Sequence, residues 1–596
     1  MHLAGLGLLA DTTIGDYQGN RGGGGRGGRG GPQTFAIHSG PSETGGIYLA
    51  STPAPQPDAR ITQLENQLAA ATRGKMVDDF PGRPGYGTKG KPIILRANYF
   101  QLQTAYEIGK KELEQPLYRY TVSFLPTELP RAKRRRALEV ILQHDKLAGK
   151  TVATDYANTI VTTTKLDIDN ATGWEIKDFV LPAAGQSNTQ DTGNAPVFVQ
   201  ESRQRNTIKC KIQYEDTFNL RHIIDYLRSQ SLGAEYAGRV DVIQLLNIIM
   251  CKAPNSAAAV ACLPGNKFYP YQGHPGMQLK DLTGGLIALR GYYSSVRAAV
   301  GRLLVNFNVT SGAFYKPLPV PGLIQELNSY SFETQEAFVR MLKVRADYKP
   351  AKEKPFSKQK TIVGFARMPN SKKGQPKPVA VKRFGNANEV RFRYSETPGG
   401  PEREVTVADY FRNRYGITLQ RPDLPVLNVG TVQDPQYMPQ EICTVLPGQA
   451  YRRLLNPDQT TEMLGFAARF PNQNARFIAG QPGAPGDGLR LMRLADPNGD
   501  PQTQSVQPFG FRVSTEMITV PGRVLPTPNV TYGGAKTVRA QNGSWNSANQ
   551  KFFKPGQFSK WAVLVLNRKG NRGNALGRFF SSSLTPSSHQ YLRLQP

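Results

Sequence analysis

The segment of this sequence best equipped for chemistry mixes cationic and aromatic side chains. Between residues 340 and 400, sixteen lysines and arginines accompany four acidic residues, and Phe384, Phe392 and Tyr394 lie among them. Cationic side chains contact the phosphates of nucleic acids, and aromatic rings stack on unpaired bases. The pattern therefore favours a nucleic acid as partner.

A second group of arginines lies in the glycine-rich run Arg21–Gly31, RGGGGRGGRGG. Arg21, Arg26 and Arg29 are candidate phosphate contacts, because segments of this composition touch phosphates and stack on bases. The simpler interpretation is a solvated flexible arm, which is typical of such low complexity. We predict that residues 1–90 form a disordered arm.

The remaining motifs give no indication of catalysis. The sequence contains neither an H-E-x-x-H motif nor a G-x-x-x-x-G-K-[ST] loop, and its four cysteines form no C-x-x-C pair. We therefore predict no catalytic residue, no metal site, no cofactor and no disulfide framework. Free cysteines fit a reducing compartment, and we expect the cytoplasm, with the nucleus as the alternative.

The net charge agrees with a polyanionic partner. The 596 residues carry 74 lysines and arginines against 45 acidic residues, a formal net charge of +29. Such an excess favours nucleic acid through counterion release. We expect no membrane partner, because no apolar run reaches the roughly 18 residues that span a bilayer and the N-terminus lacks a signal-peptide pattern.

Strands and helices alternate irregularly along the chain, which predicts an α+β fold with several domains. Residues 91–102 and 117–125 have strand patterns, and the basic run Arg131–Arg136 leads into an apolar helical stripe. That run is either a solvated helix face or a phosphate contact. Further on, the YYSSVR segment at 292–297 is predicted to be helical between two strands.

The segment TVADYFRNRYGI at 406–417 predicts a short helix that would display aromatic and cationic side chains. Thr406 is suited to the N-cap, and Val407, Tyr410, Phe411 and Arg414 follow at helical spacings.

Several phrases of the sequence, in this order, resemble the eukaryotic Argonaute family over residues 91–566. KPIILRANYF is similar to the first strand of the family's N domain, and RGYYSSVR with LLVNFNVTSGAFYKP to its first linker. TVADYFRNRYGI, LPVLNVG and YMPQEICTVLPG resemble the PAZ domain, and FGFRVSTEMITVPGRVLPTPNVTYGG the second linker. The resemblance implies these segments: arm 1–90, N domain 91–238, linker 1 239–322, PAZ 323–450, linker 2 with the edge of MID 451–566, and a divergent disordered tail 567–596.

The resemblance also implies an RNA-binding site. The family's PAZ domain is an OB-like β-barrel with an inserted αβ module that holds the 3′ end of a small RNA in an aromatic cleft. By position, Tyr410 matches the family's helix tyrosine, Tyr415 stands where many relatives have histidine, Tyr437 precedes a Met-Pro step, and Phe392 lies near the stacking phenylalanine. The partner expected is small single-stranded RNA or RNA with a 3′ overhang, with silencing-pathway proteins as further partners.

The same comparison yields candidate phosphate contacts at Lys377 and Arg414. Lys377 stands where relatives often have arginine, and lysine lacks the planar fork of a guanidinium. A neighbouring family tyrosine is replaced by Val379. For the tyrosines taken singly, packing in the core is the competing interpretation, and Phe411 is expected to be core.

Slicing in the family requires an acidic, two-metal PIWI domain, which this sequence does not resemble anywhere, so we expect RNA binding without cleavage. Two alternatives remain open. The chain is a fragment or mispredicted form of a full-length slicing endoribonuclease, or it is a general RNA or protein scaffold acting through its RGG arm.

Overall fold

The chain divides into two compact units, Met1–Pro84 with Ile94–Pro521 and Gly85–Ile93 with Gly522–Pro596. Among the described helices, none is long and apolar enough to cross a membrane. The computed structural model describes residues 55–71, 89–109, 115–180, 207–228, 238–327, 329, 331–348, 356–367, 384–395, 401–432, 434–481, 484–495, 504–540 and 544–556.

Helices and strands are mixed along the described chain, so the predicted α+β class is confirmed. The helices are α1 Ala59–Ala71, α2 Arg131–Ile141, α3 Leu220–Arg228, α4 Arg239–Met250, α5 Lys252–Ser256, α6 Val320–Leu327, α7 Phe332–Val339, α8 Val407–Tyr415, α9 Pro457–Ala467, α10 Pro471–Ala479 and α11 Asp487–Leu491. The strands are β1 Lys91–Thr104, β2 Leu117–Leu125, β3 Val152–Thr154, β4 Thr159–Thr162, β5 Trp174–Val180, β6 Thr207–Phe218, β7 Val260–Leu263, β8 Lys267–Pro270, β9 Leu279–Thr283, β10 Leu286–Ala299, β11 Arg302–Tyr315, β12 Lys343–Tyr348, β13 Phe356–Thr361, β14 Gly364–Phe365, β15 Arg391–Tyr394, β16 Arg403–Thr406, β17 Leu427–Asn428, β18 Tyr437–Met438, β19 Cys443–Val445, β20 Gly480–Gln481, β21 Ala484–Pro485, β22 Phe511–Val524, β23 Asn529–Thr531 and β24 Thr537–Arg539.

Helix α1 corrects the prediction that residues 1–90 are disordered throughout. The carboxylate of Asp58 accepts hydrogen bonds from the backbone amides of Arg60 (2.9 Å) and Ile61 (3.2 Å), which caps the first turn. Ile61 is buried, and together with Leu64 it closely approaches Gly301. Tertiary packing against a distant turn, which local composition cannot reveal, therefore orders this part of the arm.

A five-stranded antiparallel sheet with the order β3-β4-β2-β6-β5 packs against α2. The apolar stripe of α2 is buried at Ala137, Leu138 and Ile141, as its spacing predicts. Two arginines of the basic run at the start of this helix make contacts within the protein. Arg134 donates to the carbonyl oxygens of two preceding loop residues, and Arg135 bonds Glu139 and stacks over a tyrosine ring. These bonds favour the structural interpretation for those two arginines.

The larger sheet has seven strands, in the order β22-β1-β11-β10-β8-β7 with β9 also paired to β10. Its centre is a long hairpin in which β10 and β11 pair from Leu286↔Tyr315 to Ala299↔Arg302. The helix predicted at residues 292–297 is therefore wrong, because this segment lies inside β10. Pairing with β11 on one side and β8 on the other overrides the local helical pattern.

One hydrophobic core joins sequence segments that lie far apart. It contains Phe100 of β1, Leu246 of α4, Phe307 of β11 and Leu489 of α11, all almost fully buried. The strand β22 adds Val513 to the same cluster. The seven-stranded sheet and the helices α4, α10 and α11 are thus held together by shared apolar contacts.

The segment between the hairpin and α9 builds two small sheets, β13-β12-β19 and β14-β17-β18, around a second core. Between β14 and β17 the chain forms the β15–β16 hairpin and α8. This arrangement agrees with the expected barrel with an αβ insertion. In the second unit, β23 and β24 form a hairpin, and the indole of Trp545 donates to the hydroxyl of Tyr532 (2.8 Å).

Candidate nucleic-acid interface

Helix α8 carries the predicted site tyrosines, and its ends are fixed by local sequence. Thr406 Oγ accepts a hydrogen bond from the backbone amide of Asp409 at 3.0 Å, so it is the N-cap that the sequence predicts. Gly416 follows the last turn with φ 68°, a conformation that glycine adopts without strain. Val407 and Phe411 are buried, which anchors the helix on the second core.

The β15–β16 hairpin presents two aromatic side chains to this helix. Along β15, Phe392 and Tyr394 are half-buried, whereas Arg391 and Arg393 are exposed. This alternation is what a strand with one covered face produces. Phe392 and Tyr394 both make edge contacts with the ring of Tyr410, at centroid distances of 5.1 and 4.9 Å.

The aromatic contacts continue from Tyr410 across α8 to β12. The rings of Tyr410 and Tyr415 are 5.6 Å apart, and their hydroxyl oxygens meet at 3.4 Å. Tyr348, the last residue of β12, lies 4.8 Å from the Tyr415 ring. We call Tyr348, Phe392, Tyr394, Tyr410 and Tyr415 the aromatic cluster. Each of its rings is partly exposed, so the cluster is neither fully buried core nor free surface.

Burial disfavours ionisation of three hydroxyls of the aromatic cluster, those of Tyr348, Tyr410 and Tyr415. Burial raises the pKa of Tyr410, and the neighbouring Tyr415 and Tyr394 add to this rise. Burial likewise raises the pKa of Tyr415 and of Tyr348. The positive charge of Arg414, which is exposed in the last turn of α8, acts on both helix tyrosines in the opposite direction. The cluster therefore offers neutral hydrogen-bond donors beside a cation, a combination suited to an oxyanion.

Tyr437 lies on a different element from the other predicted tyrosines. It is half-buried against the second core, and β18 places it opposite Asn428 of β17. In the described part of the chain, the ring contacts that join the aromatic cluster do not extend to Tyr437. The preceding residue, Gln436, accepts a hydrogen bond from Lys360 Nζ at 2.7 Å, and burial lowers the pKa of this lysine.

Of the predicted site residues, the structure brings together Phe392, Tyr410 and Tyr415, with Arg414 close by. Four candidate phosphate contacts lie outside the described residues, as does Val379: Lys377, Arg21, Arg26 and Arg29. Phe411 is core, as expected, with 3% of its surface exposed.

Two members of the aromatic cluster were not predicted as site residues, Tyr348 and Tyr394. The strand β12 alternates inward-facing residues, and Val344 and Ala346 are fully buried. Tyr348 continues that face, so the strand period contained the signal for it. Tyr394 follows Phe392 by two residues and shares its face for the same reason. Within the described residues, no group of three or more His, Cys, Asp or Glu side chains could hold a metal ion.

Family models match four consecutive segments of the chain. They are the N-terminal domain of argonaute over residues 91–250, the Argonaute linker 1 domain over 264–316, the PAZ domain over 347–464 and the Argonaute linker 2 domain over 487–532. Together these segments account for more than half of the chain. The aromatic cluster lies within the PAZ match.

Similar curated proteins include two that are named argonautes. Protein argonaute MEL1 of Oryza sativa subsp. japonica is 26% identical over 496 residues, which cover 82% of this chain and 41% of that protein. Protein argonaute 4 of Arabidopsis thaliana is 26% identical over 544 residues, 88% of this chain and 54% of that protein. The chain thus spans about half the length of these relatives or less.

Solved structures with similar chains include an Argonaute of Kluyveromyces polysporus with a guide RNA, at 17% identity and a TM-score of 0.48, covering 80% of this chain and 51% of that one. The PAZ domain of Drosophila Argonaute 2 is 23% identical with a TM-score of 0.16, covering 22% of this chain and 98% of that one. The family assignment rests on the sequence matches and not on these scores. With four of the family's domains present in the family's order, the chain belongs to the Argonaute family.

Proposed function

We propose that this chain binds the 3′ end of small single-stranded RNA, or of duplex RNA with a 3′ overhang, in RNA-mediated gene silencing. The observation that carries the proposal is the meeting of the Tyr410 and Tyr415 hydroxyls at 3.4 Å inside a partly exposed set of aromatic rings. Two donors at this spacing can bond the oxygens of one terminal phosphodiester. The surrounding rings can stack on the unpaired base next to it.

The charge of the chain supports RNA as the ligand. Arg414 adds a guanidinium next to the two hydroxyls, and the whole chain has a net charge of +29. Stacking contributes about 1–3 kcal/mol per base, so two unpaired nucleotides supply about 2–6 kcal/mol before phosphate contacts are added. With those contacts, we expect an affinity of about micromolar that weakens steeply as salt is added.

Strand cleavage is not part of the proposal. The matched models are those of the N-terminal, linker 1, PAZ and linker 2 domains, and the resemblance assigns slicing to an acidic cluster in a PIWI domain. We propose that these domains hold RNA without cutting it, in the cytoplasm or the nucleus. Labelled RNA incubated with the chain and Mg²⁺ should keep its full length.

The test compares RNA ends on the intact chain by fluorescence anisotropy at moderate salt. One pair of ligands is a single strand with a free 3′ hydroxyl and the same strand with a bulky 3′ block. The other pair is a duplex with a two-nucleotide 3′ overhang and the same duplex made blunt. We expect at least a tenfold preference for each accessible end. Equal binding of all four ligands would mean that bulk charge alone holds RNA.

Alanine variants then locate the contact. Tyr410→Ala should remove most of the preference for the free end, since both a donor and a ring are lost. Tyr451→Ala is the matched control, because Tyr451 is also half-buried with edge-to-ring contacts (Tyr315 at 5.4 Å) but lies outside the aromatic cluster. Tyr437→Ala decides whether Tyr437 belongs to the site: loss of the end preference would include it, and an unchanged preference would exclude it.

A further inference from the structure

A second group of polar side chains lies away from the aromatic cluster, between the β10–β11 hairpin and the helices α9 to α11. At its centre is Arg290 of β10, which is only 6% exposed. Its guanidinium lies 3.8 Å from the ring centroid of Phe477 on α10 and 4.9 Å from that of Phe466 on α9. Both rings therefore pack against the guanidinium, whose hydrogen bonds leave in its own plane.

Only some of the hydrogen-bond donors of the Arg290 guanidinium have acceptors. Arg290 Nη1 donates to the side-chain oxygen of Gln278, and Gln278 Nε2 donates in turn to Asp487 Oδ2 at 3.0 Å. Arg290 Nε is buried and has no hydrogen-bond partner among the described residues. The Nε side is the edge through which a guanidinium forms two parallel bonds with an oxyanion.

A second buried donor lacks a partner two residues further along the same strand. Tyr292 follows Arg290 on the same face of β10 and is 1% exposed, yet no described group accepts a hydrogen bond from its hydroxyl. The hydroxyl is close enough to Arg290, Arg469 and Asp487 to interact with their charges. A buried donor without an acceptor is costly, and two such donors in one place indicate a missing acceptor.

The charges around these donors favour a negative ligand. The guanidinium of Arg469 lies over the same two rings, 5.4 Å from Phe466 and 5.3 Å from Phe477. Burial and the neighbouring Arg469 lower the pKa of Arg290 to about 10, while Asp487 opposes this shift. Arg469 is half-buried.

We propose that Arg290, Tyr292, Arg469 and Asp487, which we call the linker cluster, form a binding site for an oxyanion of the phosphate class. The anion accepts hydrogen bonds from Arg290 Nε and the Tyr292 hydroxyl, next to the guanidinium of Arg469. Asp487 holds Arg290 in place through Gln278 and does not contact the anion. The site is separate from the aromatic cluster, so the two proposals can fail independently.

The decisive variant is Tyr292→Phe, which removes a single oxygen. In chloride buffer the melting temperature of the intact chain should stay the same or rise, because the lost hydroxyl has no partner. Inorganic phosphate at the same ionic strength should raise the melting temperature of the wild type by about 1–3 °C and that of Tyr292→Phe by much less. Tyr293→Phe is the matched control, since Tyr293 is the next residue of β10 and accepts a bond from Arg297. It should keep the full response to phosphate.

A second variant and a second ligand complete the test. Arg469→Lys keeps the charge but loses the fork, and it should reduce the response to phosphate at least threefold. A 3′-blocked single-stranded RNA, which cannot use the aromatic cluster, distinguishes the source of the anion. If Tyr292→Phe weakens this RNA at least threefold and Tyr293→Phe does not, the ligand is a backbone phosphodiester; if only inorganic phosphate responds, it is a free phosphate. The proposal is wrong if phosphate has no more effect than chloride on the wild type and 3′-blocked RNA binds both variants equally, or if Tyr292→Phe keeps the full response.

Discussion

Replacing Tyr410 by phenylalanine separates the two contributions proposed for the aromatic cluster. The substitution removes the hydroxyl and leaves the ring, which keeps its contacts with Phe392 at 5.1 Å and Tyr394 at 4.9 Å. Stacking should therefore survive. What is lost is one donor to the terminal phosphodiester.

The expected size of the effect follows from the environment of that hydroxyl. A hydrogen bond to a charged acceptor is worth about 1.5–3 kcal/mol, which corresponds to about a 10- to 150-fold loss of affinity for RNA with a free 3′ end. The folded chain should lose at most about 0.5 kcal/mol, because among the described residues this oxygen has one hydrogen-bond partner, the Tyr415 hydroxyl at a long 3.4 Å. Binding and stability should thus change by very different amounts.

The measurement is a titration of labelled RNA with the wild type, Tyr410→Phe and Tyr410→Ala, together with thermal melts of each. The matched control is Tyr451→Phe, which removes a hydroxyl from a half-buried ring outside the cluster. The phenylalanine variant should fall between the wild type and the alanine variant. If Tyr410→Phe binds as the wild type does while Tyr410→Ala is weak, the site stacks bases but does not bond the phosphate.

Three further predictions concern protonation, helix capping and thiol reactivity. Burial raises the pKa of Tyr415, so the affinity of the wild type for RNA should not change from about pH 5.5 to about pH 8.5. Tyr415→His should bind RNA more tightly as the pH falls through about 6.5, because its imidazole gains a proton. A variant whose affinity does not change with pH would place this side chain outside the site. Thr406→Ala should cost about 1 kcal/mol in denaturant unfolding, because the N-cap bond of α8 is lost, and Thr406→Ser should restore most of it. Burial raises the pKa of Cys210, Cys251 and Cys443 to about 12. A disulfide reagent at pH 8 should therefore leave all three thiols unmodified until the chain is unfolded. Rapid labelling of any of them in the folded chain would contradict their burial.

Where local chemistry dominates, the sequence was enough to predict the structure. The start of α8 was predicted from Thr406, and Gly416, which ends the helix, is also a local signal that depends only on neighbouring residues. The strands near residues 91 and 117 were visible as alternating patterns, and the stripe of α2 as a helical one. In each of these elements, the apolar residues recur with the period expected of a strand or helix that buries one face.

Where distant segments decide the structure, the sequence was not enough. The segment at 292–297 has a helical appearance, but it lies between two partner strands, and Tyr292 is opposite both Val309 and Phe268. Helix α1 is ordered where Ile61 and Leu64 meet a turn more than 200 residues away. Neither the strand pairing nor the helix contact can be recognised from the sequence of the segment itself.

The same division between local and distant signals applies to the candidate site. Tyr410 and Tyr415 belong to one helix, so their proximity follows from a local pattern and the resemblance together. The strand period of β12 marks Tyr348 as inward-facing, but its contact with Tyr415 depends on the tertiary fold and was not predicted. Membership of Tyr437 in the site stays a prediction, since β18 places it on a separate sheet from the hairpin.

The pairing of β1 with β11 has a consequence for biosynthesis. Tyr99 emerges from the ribosome about 200 residues before its partner Asn306, and β22, which also joins this sheet, comes about 200 residues later still. At about 5–20 residues per second, the backbone edge of β1 waits about 10–40 s for its first partner strand. An unpaired strand edge is prone to pairing with other chains, so we expect the yield of native material to rise with chaperone capacity.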